Sequence, residues 1–343
     1  MERKKCKNRK RRLLILLIAL FFTTIMFTTT TYAWFTANKT VTVSKLTVNV
    51  AAQNGIQISA DGTNWKSIVQ TEDLKGVKAN TYSGAMNTNQ IPESMEPVST
   101  VGTIDSDGHM EMFYGTVGSN AGGDYILTAT KETDTSGTTG RYIVFDLFFK
   151  VNAATDLFLT TNSGVTTTDT TDTGIKNASR VGFVILGNTD AGSSLTAIQS
   201  LAGSGASTPK YIWEPNYDVH TAASVAHAHD TYGETTTVGP DAAAVPYAGV
   251  KAAIADTANV LVQTSSALEY TTRNSDYFAT VTPNYQTKDS FSANQQIFSL
   301  QKGVTKVRIY MWIEGQDVDC QNAASGGTIS YDLQITTPET TNP

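Results

Sequence analysis

The residues able to do chemistry are few and scattered. There are four histidines, His109, His220, His227 and His229, and "HAHD" at residues 227–230 is the only place where two stand close together. In an extended chain His227 and His229 would share one side, and Asp230 or His220 could complete a set of nitrogen and oxygen ligands for a metal. A helical zinc hydrolase centre needs His-Glu-x-x-His, two imidazoles one turn apart with a carboxylate to activate water, and that order is absent. "EGQDVDC" gathers Glu314, Asp317 and Asp319 without the D-x-[DN]-x-[DN]-G order of a calcium loop, and reads as a solvated turn after a strand. "YIWEPNYD" groups Tyr211, Trp213, Glu214 and Tyr217 around a Pro-Asn turn. Rings with polar neighbours suit a sugar-stacking surface, and suit equally a strand that packs into a core and ends in a turn. No Gly-x-Ser-x-Gly elbow, phosphate-binding glycine loop or Cys-x-x-Cys pair occurs. The expectation is a protein that is not an enzyme, with no catalytic residue and no cofactor.

Whatever positions these residues is exported. The first twelve residues carry eight Lys or Arg and one Glu, and residues 13–27 are apolar apart from Thr23 and Thr24. A basic region followed by a short apolar one is the grammar of a signal peptide, here 1–33, and roughly 20 apolar residues would be needed for a permanent span. Thr31 and Ala33 place small residues where signal peptidase reads them, so the mature chain is expected to start at Trp34. Removing eight of 25 basic and one of 31 acidic residues leaves 17 and 30, a net charge near −13. Such a balance argues against nucleic acid, whose phosphates attract basic surfaces. Contact with a membrane is expected only through an uncleaved leader. Cys6 departs with the leader, so Cys320 has no intramolecular partner and reads as a small buried hydrophobe.

Period-two alternation then dominates. In "GTISYDLQI" Ile329, Tyr331, Leu333 and Ile335 fall on one face and Ser330, Asp332 and Gln334 on the other, a half-buried strand. "KVRIYMWIEG" has Val307, Ile309, Met311 and Ile313 on one face and Arg308, Tyr310, Trp312 and Glu314 on the other, which places it centrally, and "RYIVFDLFFKV" reads as covered on both faces. Asn54-Gly55 and Asp61-Gly62 flank a short strand with Ile56 and Ile58, suggesting consecutive hairpins. Residues 166–174 and 188–197 read as polar loops, and Pro240 to Leu261 is the Ala-rich stretch able to hold a short helix, interrupted at Pro246. The expected fold is all-β, an antiparallel β-sandwich of jelly-roll type with long loop insertions, preceded by a signal helix. Its expected divisions are an N-terminal arm at 34–45, the sandwich at 46–337 with an insertion around 186–300, and a tail at 338–343. That tail carries no sorting motif or apolar stretch.

The first strand holds a phase break. Phe35, Ala37, Val41 and Val43 occupy odd positions, whereas Leu46, Val48 and Val50 occupy even ones. A shift by one residue sends side chains to the opposite face, so a bulge or break at Ser44-Lys45 is required. The segment before it is either a first strand crossing between sheets of its own sandwich or an arm that completes a sheet in a neighbour, with Phe35, Val41 and Val43 facing an apolar groove.

A leader ending in "TYAWFT" and running directly into an alternating strand resembles the TasA and camelysin group of secreted Gram-positive surface proteins, whose leaders are cut by a SipW-type signal peptidase. The blocks "VSKLTVNVAAQNGIQISADGTNW", "RYIVFDLFFKVN", "ASRVGFVILG", "YIWEPNYDVHT" and "KVRIYMWIEGQDVDCQN" are similar to those of larger members with this leader. The resemblance implies a jelly-roll subunit that polymerises with itself, or with related surface proteins, into extracellular matrix fibres, each copy donating its N-terminal strand. Trp34 to Val43 match that donor. Camelysin's description as a metallopeptidase makes that activity a further alternative, beside a carbohydrate- or host-binding adhesin.

Overall fold

A computed structural model of the chain describes residues 41–50, 56–74, 82, 84–85, 91–92, 94–134, 139–167, 174–263, 275–320 and 328–338. The expected leader, its junction at Thr31, Ala33 and Trp34, the arm residue Phe35 and the Asn54-Gly55 turn lie outside the described residues.

The fold is an all-β sandwich. Numbered along the chain, one sheet runs in the order β16 (Gln295–Leu300), β8 (Thr155–Leu159), β18 (Thr328–Thr336), β1 (Val41–Val50) and β3 (Ile68–Gln70), with β4 (Ser94–Met95) added to β1 and β9 (Gly164–Thr166) to β18. The other runs β15 (Tyr285–Thr287), β11 (Lys210–Pro215), β10 (Ser179–Thr189), β17 (Gly303–Ile313), β7 (Ile143–Val151) and β2 (Gln57–Ser59). Smaller pairings join β5 (Met112–Ser119), β6 (Tyr125–Glu132) and β13 (Val260–Gln263), and β12 (Tyr247–Val250) with β14 (Phe278–Val281). Pairing is antiparallel except for β1 with β18 and β11 with β15.

The expected alternation explains the layers. Val307, Ile309, Met311 and Ile313 of β17 join Phe145, Leu147 and Phe149 of β7 and Val181 and Phe183 of β10 in one core with Leu157, Ile329, Leu333 and Ile335 of the facing sheet. The other face of the six-stranded sheet is covered as well. Val144, Val184, Tyr310 and Trp312 pack there beneath Val98, Ile104, Met110 and Tyr247. β17 is therefore central and buried along its whole length, as its sequence predicts. β18 shows the expected alternation, with Ile329, Tyr331, Leu333 and Ile335 buried and Ser330, Asp332 and Gln334 half-buried. Gly182 of β10 makes room in this second layer, since a Cβ there would lie 3.1 Å from Met110 and 3.2 Å from the Trp312 ring.

Several expectations are corrected. β1 is one strand through the phase break, and its register with β18 passes from Val43↔Ile329 to Lys45↔Ser330, leaving Ser44 as the extra residue of a bulge. The arm–domain boundary at 45 thus falls inside a strand, and residues 41–43 pair within the chain's own sheet, with β18 and β4. The strand does not cross between sheets at the break. It is the next segment that crosses, because β2 pairs with β7 of the opposite sheet, so β1 and β2 do not form a hairpin. The Asp61-Gly62 turn does close a short antiparallel contact, Ile58 with Lys66. Nor is 186–300 a single insertion: β11, β15 and β16 inside it belong to the two main sheets. The Ala-rich stretch forms β12, where pairing with β14 overrides helix propensity, and after Pro246 holds one short 3-10 helix, Asp256–Ala258, while α-helices lie at Thr71–Leu74, Leu195–Gln199 and Ala222–His227. The last two carry side-chain N-caps, Ser194 and Thr221.

Candidate functional site

The outer face of the six-stranded sheet carries a buried network of charges. The second residue of β10 is Arg180, whose neighbour across the ladder is Trp312 of β17. The Arg180 side chain is fully buried. Its guanidinium donates to the carbonyls of Asn177 and Ser179 at 2.9 Å each, to Glu214 Oε1 at 2.6 Å and to Asp317 Oδ2. Glu214 comes from β11, and its second oxygen accepts from Gln286 Nε2 of β15 at 2.6 Å. The loop after β17 supplies the remaining acids. Glu314 accepts from the Trp312 indole N–H at 3.1 Å and from the Gln316 N–H at 3.0 Å, and Asp317 accepts from the Asp319 N–H at 2.7 Å. Asp319 Oδ2 lies 2.8 Å from His220 Nδ1. The turn before β10 closes against this loop: Gly174 has φ +80°, and a Cβ there would stand 2.5 Å from the Asp319 carbonyl oxygen.

Four buried carboxylates thus surround two cations, Arg180 and His220. Burial disfavours the charged form of an acid. It raises Glu314 to about 7, with Ser99, Gln316 and Trp312 opposing, and Asp319 to about 6 despite its bond to His220. Burial also raises Glu214 above the usual range against the pull of Arg180. His220 moves the other way: burial would lower it, but the bond and charge of Asp319 prevail and hold it at about 9. Cys320, buried and free, has its thiol pushed well up by burial, which removes it as a nucleophile at neutral pH.

A second network lies further along the same face. Asp146 of β7 faces Arg308 of β17 directly across the ladder and accepts from its Nε at 2.8 Å. Lys306 Nζ stands 3.3 Å away and Tyr82 donates to Asp146 at 3.1 Å. Burial would raise Asp146, but Arg308 and Lys306 outweigh it and keep it below the usual carboxylate range. Beside it Asp134 accepts from Tyr310 at 2.6 Å and from Tyr142, and lies 2.7 Å from His109 Nδ1. Each acid here is matched to donors from strand β17 and from the segments carrying Tyr82, His109 and Tyr142.

The residues singled out from sequence fall differently from expectation. Trp213 is fully buried in the inter-sheet core, donating to Thr287 Oγ1 at 3.0 Å, and Glu214 is buried on Arg180, so neither can stack on or contact a surface sugar. Tyr211 is half-buried, stacked on Phe298 and tilted against Tyr285; Tyr217 is half-buried in the following turn. "EGQDVDC" is a turn but not a solvated one, since Glu314, Asp317, Asp319 and Cys320 are all buried. His227 and His229 lie on helical turns, at Ala222–His227 and Ala228–Tyr232, rather than on an extended segment, and the backbone of Asp230 is on the same turn. Alternation therefore does not bring them to one side. His220 is occupied by Asp319 and by the Ala243 carbonyl at 3.0 Å. Among the described residues no three His, Cys, Asp or Glu side chains converge to hold a metal. The sequence signal for Arg180, the hub of the network, is an Arg at the head of the otherwise apolar run of "ASRVGFVILG", where a charge must be paired if the strand is buried.

The other site is a slot in the seven-stranded sheet. β1 lies between β18 on one side and β3 and β4 on the other. Its ladder with β18 runs from Thr42↔Thr328 to Val50↔Ile335, while β3 adds Thr47↔Gln70 to Asn49↔Ile68. Among the described residues no helix is long and apolar enough to cross a membrane. Comparison of the chain with protein-family models, with curated proteins and with solved structures finds no match in any of the three.

Proposed function

We propose that the chain is a secreted structural protein, a subunit of an extracellular fibre or cell-surface layer assembled through its N-terminal strand. The observation that carries this reading is the placement of β1. It is the first described strand, it is enclosed by β18 and by β3 and β4, and it is parallel to the last strand of the sheet. A terminal strand can be withdrawn from such a slot and replaced by the same strand of a second copy with no rearrangement of the other sheet strands. Main-chain hydrogen bonds would supply affinity and the Ser44 bulge a fixed register. The buried charge networks fit this role, their groups being paired with one another across strands and loops of the sandwich. The resemblance of the leader junction to the TasA and camelysin group supports the same reading, with SipW-type processing exposing the strand's end. The test is electron microscopy of the purified mature chain and of producing cells. Fibres or an ordered layer are expected, and monomeric particles under every condition tried, with bare cells, would overturn the proposal.

A further inference from the structure

Between β11 and β12 the chain makes an excursion, residues 216–246, that adds no strand to either sheet. Its start is tied down by Asn216, which donates to the carbonyls of Val165 at 3.1 Å and Lys176 at 3.3 Å, and by Asp218, which accepts from the Asp289 N–H at 2.8 Å. Beyond that it docks on the loop after β17. Tyr232 donates to the Gln316 carbonyl at 2.5 Å, Val318 forms a small apolar cluster with Ala228 and Val245, and His220 meets Asp319.

His220 is buried, and both ring nitrogens face oxygen acceptors: Nδ1 the Asp319 carboxylate at 2.8 Å, Nε2 the Ala243 carbonyl at 3.0 Å. A neutral imidazole has one donor and one acceptor nitrogen, so in either tautomer a lone pair would point at an oxygen. With Asp319 ionised, as it is above about pH 6, only the doubly protonated ring satisfies both contacts. We propose that His220 is a proton-operated latch: protonated, it pins the excursion to the Glu314–Cys320 loop, and loss of that proton on the alkaline side releases the excursion from the sandwich.

The groups facing this contact favour retention of the proton. Asp319 and Asp317 approach from the loop, Ala243 presents a carbonyl that also accepts from Thr236 at 2.9 Å, and Ser224 of the helix Ala222–His227 bonds Asp319. Behind Asp319 lie Arg180, Glu214, Glu314 and Cys320, with one cation among them. Because the docked ring is held at about 9 against an ordinary value of 6.5, the stabilisation is complete below 6.5 and is lost as pH rises through about 9.

Amide hydrogen exchange of the full chain, corrected for intrinsic rates, tests this between about pH 6 and pH 10. Protection within residues 221–245 should fall by on the order of 10²-fold relative to β10 and β17, progressively from about pH 6.5 and levelling off above about 9. In Asp319→Asn the side-chain amide can donate to Nδ1 of a neutral ring while Nε2–H still donates to Ala243, so protection should persist at alkaline pH. In His220→Gln the titration should disappear. The proposal is overturned if the wild-type excursion keeps its protection to pH 10. It is equally overturned if the loss is finished by about pH 7, which would assign it to the carboxylates, or if Asp319→Asn loosens with the wild-type profile. Should Asp319→Asn fail to fold, the comparison of wild type with His220→Gln decides: an identical alkaline loss in both overturns the latch.

Discussion

Replacing Arg180 with Met should destabilise the sandwich more than most single changes in it. The side chain is fully buried and its donors serve Glu214, Asp317 and the carbonyls of Asn177 and Ser179. Met fills much of the volume but leaves two buried acids without their cation. Removing one partner of a buried ion pair costs about 3–5 kcal/mol, the cost of stranding the other charge rather than the worth of the pair. For a chain of this size that corresponds to a melting temperature lower by roughly 10 °C. The deficit should depend on pH with a definite sign. Without Arg180 the folded value of Glu214 rises further, so the loss is full above the carboxylate range and shrinks as pH falls and that acid takes up a proton. Thermal and urea unfolding of wild type and Arg180→Met at about pH 7 and pH 5 measure both effects. Adding Glu214→Gln and Asp317→Asn to Arg180→Met should restore part of the stability, because neutral residues need no counter-charge. A loss under about 1 kcal/mol at pH 7, or a larger loss at pH 5 than at pH 7, would refute the argument that the network is a buried set of charges held by one arginine.

Other consequences are measurable in the same assays. Glu314 and Asp319 have folded values of about 7 and about 6, above their ordinary values of 4.5 and 3.8, so their contribution is complete in acid and is lost as pH rises through 6 and 7. Urea stability should therefore fall between about pH 4.5 and pH 7.5, and a rise across that window would contradict the burial of these acids. Trp213→Ala should cost about 3–5 kcal/mol, because it empties a fully buried site and leaves Thr287 Oγ1 without its donor. A stable variant that had lost only glycan binding would instead return Trp213 to a surface role.

The sequence disclosed the strands better than their neighbours. The alternation in β17 and β18 reports faces directly, since each position samples one environment, and the phase break at Ser44 is visible for the same reason. Partners are not written in alternation. That β1 pairs with β18, nearly the whole chain away, and that β2 joins the opposite sheet, depend on long-range packing that a local hairpin signal cannot encode. The charge network was hidden by a sound average rule. Acidic residues after a strand are usually solvated, and only the structure brings Arg180 and His220 to Glu214, Asp317 and Asp319. Caps report α-helix starts more directly than Ala content does: Thr221 and Ser194 open helices, whereas the Ala-rich stretch holds the paired strand Tyr247–Val250 and only a 3-10 turn at Asp256–Ala258.

Exchange of β1 between copies is the central claim, and a cross-link across its ladder tests it most directly. Thr47 and Asp332 are register partners in β1 and β18. With both changed to Cys in a Cys320→Ser background of the mature chain, oxidation joins the two strands wherever the native ladder exists. If β1 is donated between subunits, oxidised assemblies should run on a non-reducing gel as a ladder of covalent multimers, while unassembled chains yield an internally closed monomer that no longer assembles. Assemblies that dissociate entirely into internally cross-linked monomers would contradict the account, because every β1 would then lie in the sheet of its own chain.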